Sequence, residues 1–187
     1  MKQLKEMPVL VGERLILRPF ELKDAKRVQM LAGTPEIAAV TLLIPYPYPD
    51  GLAETWIGTH RESFQNGQNV SLAVCLKDSG LLIGAVGLEI SQEHSRGSLG
   101  YWIGTDYWNQ GYCTEAARLM VDHGFNEMSL ARIYATHMSH NPASGRVMQK
   151  LDMQKEGVLR NHILKNGKYY DLVYYGILRS EYETIRT

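Results

Sequence analysis

Gly100-Tyr-Trp-Ile-Gly-Thr-Asp-Tyr-Trp-Asn-Gln-Gly-Tyr-Cys-Thr-Glu-Ala116 is the stretch whose reading decides the fold. A strand-like run, Arg96 to Thr105, enters a polar loop, and the loop enters a helix read over Thr114 to Met128. In that helix Ala116, Met120 and Gly124, and Ala117, Val121 and Met128, recur at three-to-four spacing. Backbone N–H groups at a helix start lack intrahelical partners and carry partial positive charge. A phosphate or pyrophosphate can accept hydrogen bonds there, and Gly111 lets the backbone come close to it. On these residues alone, a plain strand-to-helix turn with one glycine remains equally open. A P-loop is excluded because no Gly-Lys-Ser/Thr follows, and a dinucleotide fingerprint because the glycine spacing is wrong.

Working outward, Leu81 to Ser91 pairs with Arg96 to Thr105 as a predicted hairpin around the polar Gln92 to Ser95. Upstream lie a strand over Glu13 to Arg18, a helix over Leu22 to Leu31, a helix over Leu52 to Asn66 and a strand over Val70 to Lys77. Between the two helices, Pro45, Pro47 and Pro49 alternate with Tyr46 and Tyr48, which demands a stiff extended loop. Downstream come a strand over Ala131 to Met138 and a short helix over Asn141 to Leu151, with Pro142 suited to its first position. A final hairpin, Val158 to Lys165 with Lys168 to Leu178, turns at Asn166-Gly167. These elements predict one mixed α/β domain spanning residues 1–187.

A chain of 187 residues with 44% hydrophobic composition supports one sizeable core. Twenty Lys and Arg balance twenty Asp and Glu, so no global charge draws the protein to nucleic acid or an anionic membrane. Cys75 and Cys113 fit neither a disulfide framework nor a metal set and read as reduced thiols. Met1 to Leu10 lacks a signal-peptide run, and no apolar stretch is long enough to span a bilayer. The expected setting is the cytoplasm. There is no low-complexity tract and no repeat of fixed period.

Trp108-Asn-Gln-Gly-Tyr-Cys-Thr-Glu-Ala116 resembles the acetyl-CoA pyrophosphate loop of the GNAT acetyltransferase superfamily. Gly100-Tyr-Trp-Ile103 resembles that family's splayed central strand. Asn141-Pro-Ala-Ser144, Lys150-Leu-Asp-Met-Gln-Lys-Glu-Gly157 and Asn166-Gly-Lys-Tyr-Tyr-Asp171 resemble its RimJ/RimL branch, which contains ribosomal-protein N-terminal acetyltransferases. The similarity runs in order from Glu13-Arg-Leu-Ile-Leu-Arg18 to the last strand. It implies a mixed, mostly antiparallel, twisted sheet flanked by helices, with a splayed central strand. It also implies that Asn109, Gln110, Gly111, Tyr112, Cys113 and Thr114 hold the pyrophosphate of acetyl-CoA. Trp102 and Ile103 would bond the pantetheine amides, and Asn141 would touch the pantetheine arm. Cys113 replaces the family's small Gly or Ala. A thiol near a helix start can also be a nucleophile, but small size explains the residue more simply. No metal is implied, and a homodimer is within the family's range.

Acetyl transfer to an amine requires removal of an ammonium proton, stabilisation of the thioester oxygen, and protonation of the leaving thiolate. The family's usual basic Glu falls here on Ser98, which is no base unaided. If Gln92 to Ser95 is a four-residue loop, Glu89 faces Ser98 on the same side of the sheet. Glu89 is therefore the candidate base, against the alternative of a solvated strand carboxylate. A slip of one residue would turn it away. Ser144 matches the branch's proposed acid, although it also fits a helix first turn; the Tyr acid of other members falls on Met148. Asn141 would serve either as helix N-cap or as cofactor contact, and the resemblance favours the latter. His94, His137, His140 and His162 stand out: His94 reads as a turn residue, His137 and His140 lie near the strand end that faces the acetyl group, and His137 is a second candidate for proton removal against a structural or solvent-facing role. Tyr46 and Tyr48 are candidates for lining the acceptor groove, and Trp56 packs locally or joins them. Three functions compete. They are acetylation of a protein N-terminus, acetylation of a small-molecule amine (polyamine, amino acid or antibiotic), and acyl-CoA binding without turnover.

Overall fold

The computed structural model describes residues 6–186. In chain order the elements are β1 (Leu10–Val11), β2 (Leu15–Pro19), a 3-10 turn (Leu22–Asp24), α1 (Ala25–Ala32), α2 (Pro35–Val40), α3 (Leu52–Gln65), β3 (Asn69–Leu76), β4 (Leu82–Ser91) and β5 (Arg96–Ile103). A second 3-10 turn (Thr105–Tyr107) precedes α4 (Tyr112–Asn126), β6 (Arg132–Met138), α5 (Pro142–Lys150), β7 (Gln154–Lys165), β8 (Lys168–Leu178) and α6 (Arg179–Arg186). The strands form one sheet in the order β1-β2-β3-β4-β5-β6-β8-β7. Every neighbouring pair is antiparallel except β5 with β6. This is the mixed α/β sheet expected from the sequence. No described helix is long and apolar enough to cross a membrane.

Alternation along the strands feeds two cores. Leu15, Leu17, Leu72, Val86, Leu88 and Leu99 face α4, where Ala116, Ala117, Met120 and Phe125 complete the larger cluster. Ala73, Cys75 and Leu82 turn to the opposite face, against Val28 and Leu31 of α1 and Ile57 of α3. Near this second core, Arg18 donates to both oxygens of the buried Asp24 at 2.7 and 2.9 Å, fixing the turn that leads into α1. The final hairpin turns at Asn166 (φ 50°) and Gly167 (φ 74°), as Asn-Gly requires.

Three elements were not read from the sequence. They are the two-residue β1, α6, and α2, for which Thr34 caps Ile37 N and Pro35 opens the helix. The Thr-Pro start was a readable signal for α2. Its six residues, however, are too few to establish a period.

His60 on α3 is 6% exposed, packs against Phe20 and Trp56, and has no hydrogen-bond partner at either ring nitrogen. Burial lowers its pKa from 6.5 to about 4. Between these values the unfolded chain binds a proton that the folded chain refuses. The contribution of His60 is thus fully present above pH 6.5 and is lost as pH falls toward 4. His60→Phe should flatten this acid limb. Between pH 7 and pH 5 its Tm should fall less than that of the unsubstituted protein, by about 2–4 °C for each kcal/mol removed. Thermal melts across that range check this, and an unchanged slope would assign the acid sensitivity to other groups.

Candidate active site

β5 and β6 pair only over Arg96–Arg132, Gly97–Ile133 and Ser98–Tyr134. Beyond Ser98, β5 follows β4 to Ile103 and β6 follows β8 to Met138, with no ladder between them. The sheet thus splits at its one parallel junction. Backbone groups that face the split lack the partners a sheet normally supplies. A cavity of about 800 Å³ opens there, bounded by both strands, the start of α4, the start of α5 and the segment after α2.

At one end of the cavity the loop enters α4 through Gly111, which is left-handed at φ 82°, after Asn109 at φ 59°. No side chain caps this helix, so its first N–H groups point out of the helix start. Arg14, absent from the sequence-derived candidates, braces the turn. Its backbone N and Nε donate to Glu115 at 2.8 Å each, and its Nη1 donates to the Gln110 carbonyl at 2.9 Å. The guanidinium also lies 4.7 Å from the centre of the Tyr112 ring. Trp108 closes the loop by donating Nε1–H to the Ile103 carbonyl at 2.6 Å. Asn109, Gly111, Tyr112, Cys113 and Thr114 line the cavity, whereas Gln110 does not. The Gln110 amide turns back to the Asp106 carbonyl at 3.0 Å. Burial pushes the Cys113 thiol up to about 12, so at neutral pH it is a small protonated side chain and not an activated nucleophile.

The middle of the cavity is floored by the α1/α3 face of the sheet. Glu89 lies opposite Ser98 on β5 and opposite Asn69 on β3. The four-residue hairpin loop has the expected register, with Ser91 opposite Arg96. The next row is Ser71, Gly87 and Gly100, and the one after it is Ala73, Ala85 and Trp102. Tyr101 faces the other way and reaches α5. Its hydroxyl lies 2.9 Å from Ser144 Oγ and 3.1 Å from the Ser144 carbonyl. If the phenol donates to the carbonyl, Ser144 Oγ–H donates to the phenol oxygen. Burial, helped by Cys113, holds the Tyr101 hydroxyl above the usual phenol range, so it remains a proton donor.

The profile of the acetyltransferase (GNAT) domain matches residues 14–154. The chain belongs to the GNAT acetyltransferase family. N-acetyltransferase YnaD of Bacillus subtilis is 33% identical to it over 175 residues, covering 92% of this chain and 98% of YnaD. A solved GNAT acetyltransferase from Bacillus anthracis superposes with a TM-score of 0.82 at 27% identity, covering 93% and 100% of the two chains. RimL, a ribosomal α-N-protein acetyltransferase solved with coenzyme A, gives a TM-score of 0.84 over 91% of this chain and 98% of its own. At 16% identity that likeness is one of fold.

In this GNAT chain the sequence-derived residues gather unevenly. Glu89, Ser98, Trp102, Ile103, Asn141, Ser144 and His137 all border the cavity. Of the two loop tyrosines, Tyr48 packs against the α1/α3 cluster and lines the cavity. Tyr46 does not line it: the chain bends at Tyr46 and Pro47 and leaves the Tyr46 ring 59% exposed. Trp56 does both things asked of it, lining the cavity while packing on Phe20. Asn141 is engaged by the protein at both ends of its amide. Oδ1 accepts from Ser144 N at 3.3 Å as the N-cap of α5, and Nδ2 donates to the Val40 carbonyl at 3.3 Å. Its amide oxygen thus serves the cap of α5 while Asn141 borders the cavity. His140 meets the Ala39 carbonyl, and Lys165 donates to the carbonyls of Ala38 and Thr41. Three side chains from distant segments therefore satisfy the C-terminal carbonyls of α2 and pin this wall of the cavity. His137 has its Nδ1 at the Met138 carbonyl, 2.9 Å away. His94 and His162 are exposed, away from the cavity. Among the described residues, no three His, Cys, Asp or Glu side chains form a metal set.

Proposed function

We propose that this GNAT acyltransferase is acetyl-CoA-dependent and moves the acetyl group directly to a primary amine, such as a protein N-terminal amine. The observation that carries the reading is the split between β5 and β6 leading to the uncapped start of α4. A long amide-containing arm ending in a pyrophosphate matches both features. Bare backbone donors meet the phosphates, and unpaired strand edges meet the amides. Gly111 makes the left-handed turn into the helix, at φ 82°, which L side chains rarely adopt. The cosubstrate supplies an activated acetyl thioester.

Glu89 accepts the ammonium proton, directly or through one water, across the floor it shares with Ser98 and Asn69. Ser144 donates a proton toward the departing sulfur. Tyr101, held protonated, orients Ser144 Oγ through its hydrogen bond, and solvent returns the proton to Ser144 once the thiol has left. A thiol-release assay paired with calorimetric titration of acetyl-CoA tests the reading. The unsubstituted protein should bind acetyl-CoA and release thiol when a primary amine is added. Ser144→Ala should bind it comparably and turn over at least about a hundredfold more slowly. Binding with no thiol release from any amine would leave an acyl-CoA-binding module. A Ser144→Ala protein that is less stable but equally fast per folded molecule would reduce Ser144 to a helix-start residue.

A further inference from the structure

We infer that the acceptor is a primary amine with one positive charge and an aromatic or branched aliphatic body, not a polyamine. This rests on the acetyl-transfer reading above and names the acceptor class for the same site. Among the described residues lining the cavity, Glu89 is the sole carboxylate. The cationic lining residues, Arg146 and Lys150, lie on α5. One ammonium therefore finds one acidic partner. The lining also holds apolar walls: Ile37 of α2, Leu42 after it, and Ile44, Tyr48 and Trp56, which pack on the α1/α3 cluster. A second ammonium on the same chain would lie against these walls with no counter-charge. An unpaired charge removed from water is costly. Trp56 offers little compensation through its ring, because Phe20 and His60 already pack against it.

The floor supplies the space for such a body. Gly87 and Gly100 face each other across β4 and β5, one row from Glu89 and Ser98. A Cβ on Gly87 would lie 2.8 Å from the Val70 carbonyl oxygen and 3.0 Å from Ser71 Oγ, so the open space is at Gly100. A Cβ on Gly100 would meet no atom within 4 Å, and its φ lies outside the left-handed region. A larger residue there is compatible with the backbone, so the fold does not require glycine at this position. The empty position lies between Glu89 and Trp102 on one face of the sheet. It gives room for the group carried by the carbon next to the nitrogen.

The test measures kcat/KM by thiol release for 2-phenylethylamine, a peptide amide beginning with leucine, putrescine and spermidine. Acetyl-CoA affinity is followed separately by calorimetry. The two monocationic amines should exceed the two polyamines by on the order of a hundredfold, and their ratio separates a free amine from a peptide N-terminus. Gly100→Leu should raise KM for the better acceptor by about tenfold or more while leaving acetyl-CoA affinity and Tm near their original values. Equal or better use of spermidine, with acetyl-CoA bound normally, overturns the inference and leaves acetyl transfer intact. An unchanged acceptor KM in Gly100→Leu overturns the placement of the body on this floor. Failure of every amine to release thiol overturns the acetyl-transfer reading and this inference with it.

Discussion

Replacing Glu89 by Gln is expected to lower turnover by about a hundredfold to ten-thousandfold, the range typical of a lost general base. The substitution keeps length and hydrogen bonding and removes only the basic oxygen. Glu89 sits across β4 and β5 from Ser98, which occupies the position where the family carries its usual acidic residue, so the hairpin moves the carboxylate one strand over. Turnover at saturating acetyl-CoA, followed across pH, should be depressed throughout in Glu89→Gln. Ser98→Ala should be mild, because a hydroxyl there contributes at most a hydrogen bond. Near-normal turnover in Glu89→Gln at every pH would move the base elsewhere. His137, on the cavity wall with Nδ1 at the Met138 carbonyl, would be the next candidate.

Gly111→Glu is expected to abolish measurable acetyl-CoA binding in a calorimetric titration. Two effects act together. A carboxylate on a side chain that starts toward Arg14 would add negative charge beside the uncapped start of α4 and compete with phosphate for that positive surface. A side chain would also occupy the close approach that glycine permits. Gly111 has φ 82°, so any other residue is strained, by roughly 1–2 kcal/mol. Gly111→Asn controls for that strain, since Asn tolerates the left-handed region and carries no charge. The expected order of affinity is Gly, then Asn, then Glu, with Tm similar in the two variants. Undiminished affinity in Gly111→Glu would place the pyrophosphate away from residues 109–114.

The sequence by itself determined the order of elements and the loop at their centre. Strand alternation, the three-to-four spacing in α4, the Pro-rich segment and the Asn166-Gly167 turn are local signals, each carried within one element by backbone sterics or a buried face. Reading Gln92 to Ser95 as a four-residue loop implies Ser91 opposite Arg96, and that pairing is the one observed, although the sequence alone left a one-residue slip open. The tertiary structure decided what depends on contacts between distant segments. Arg14 is an ordinary surface arginine in the sequence, and only the fold brings it 101 positions along the chain to Glu115. Asn141 had two plausible roles, and the Val40 carbonyl and Ser144 N–H engage both ends of its amide. Tyr46 and Tyr48 look equivalent in an alternating run, yet a bend turns only Tyr48 to the cavity. Tyr101 reads as one more strand aromatic until α5 folds back and sets Ser144 beside its hydroxyl. The open floor at Gly100 is likewise invisible in one dimension. An absent side chain defines a space only when the surrounding walls are in place.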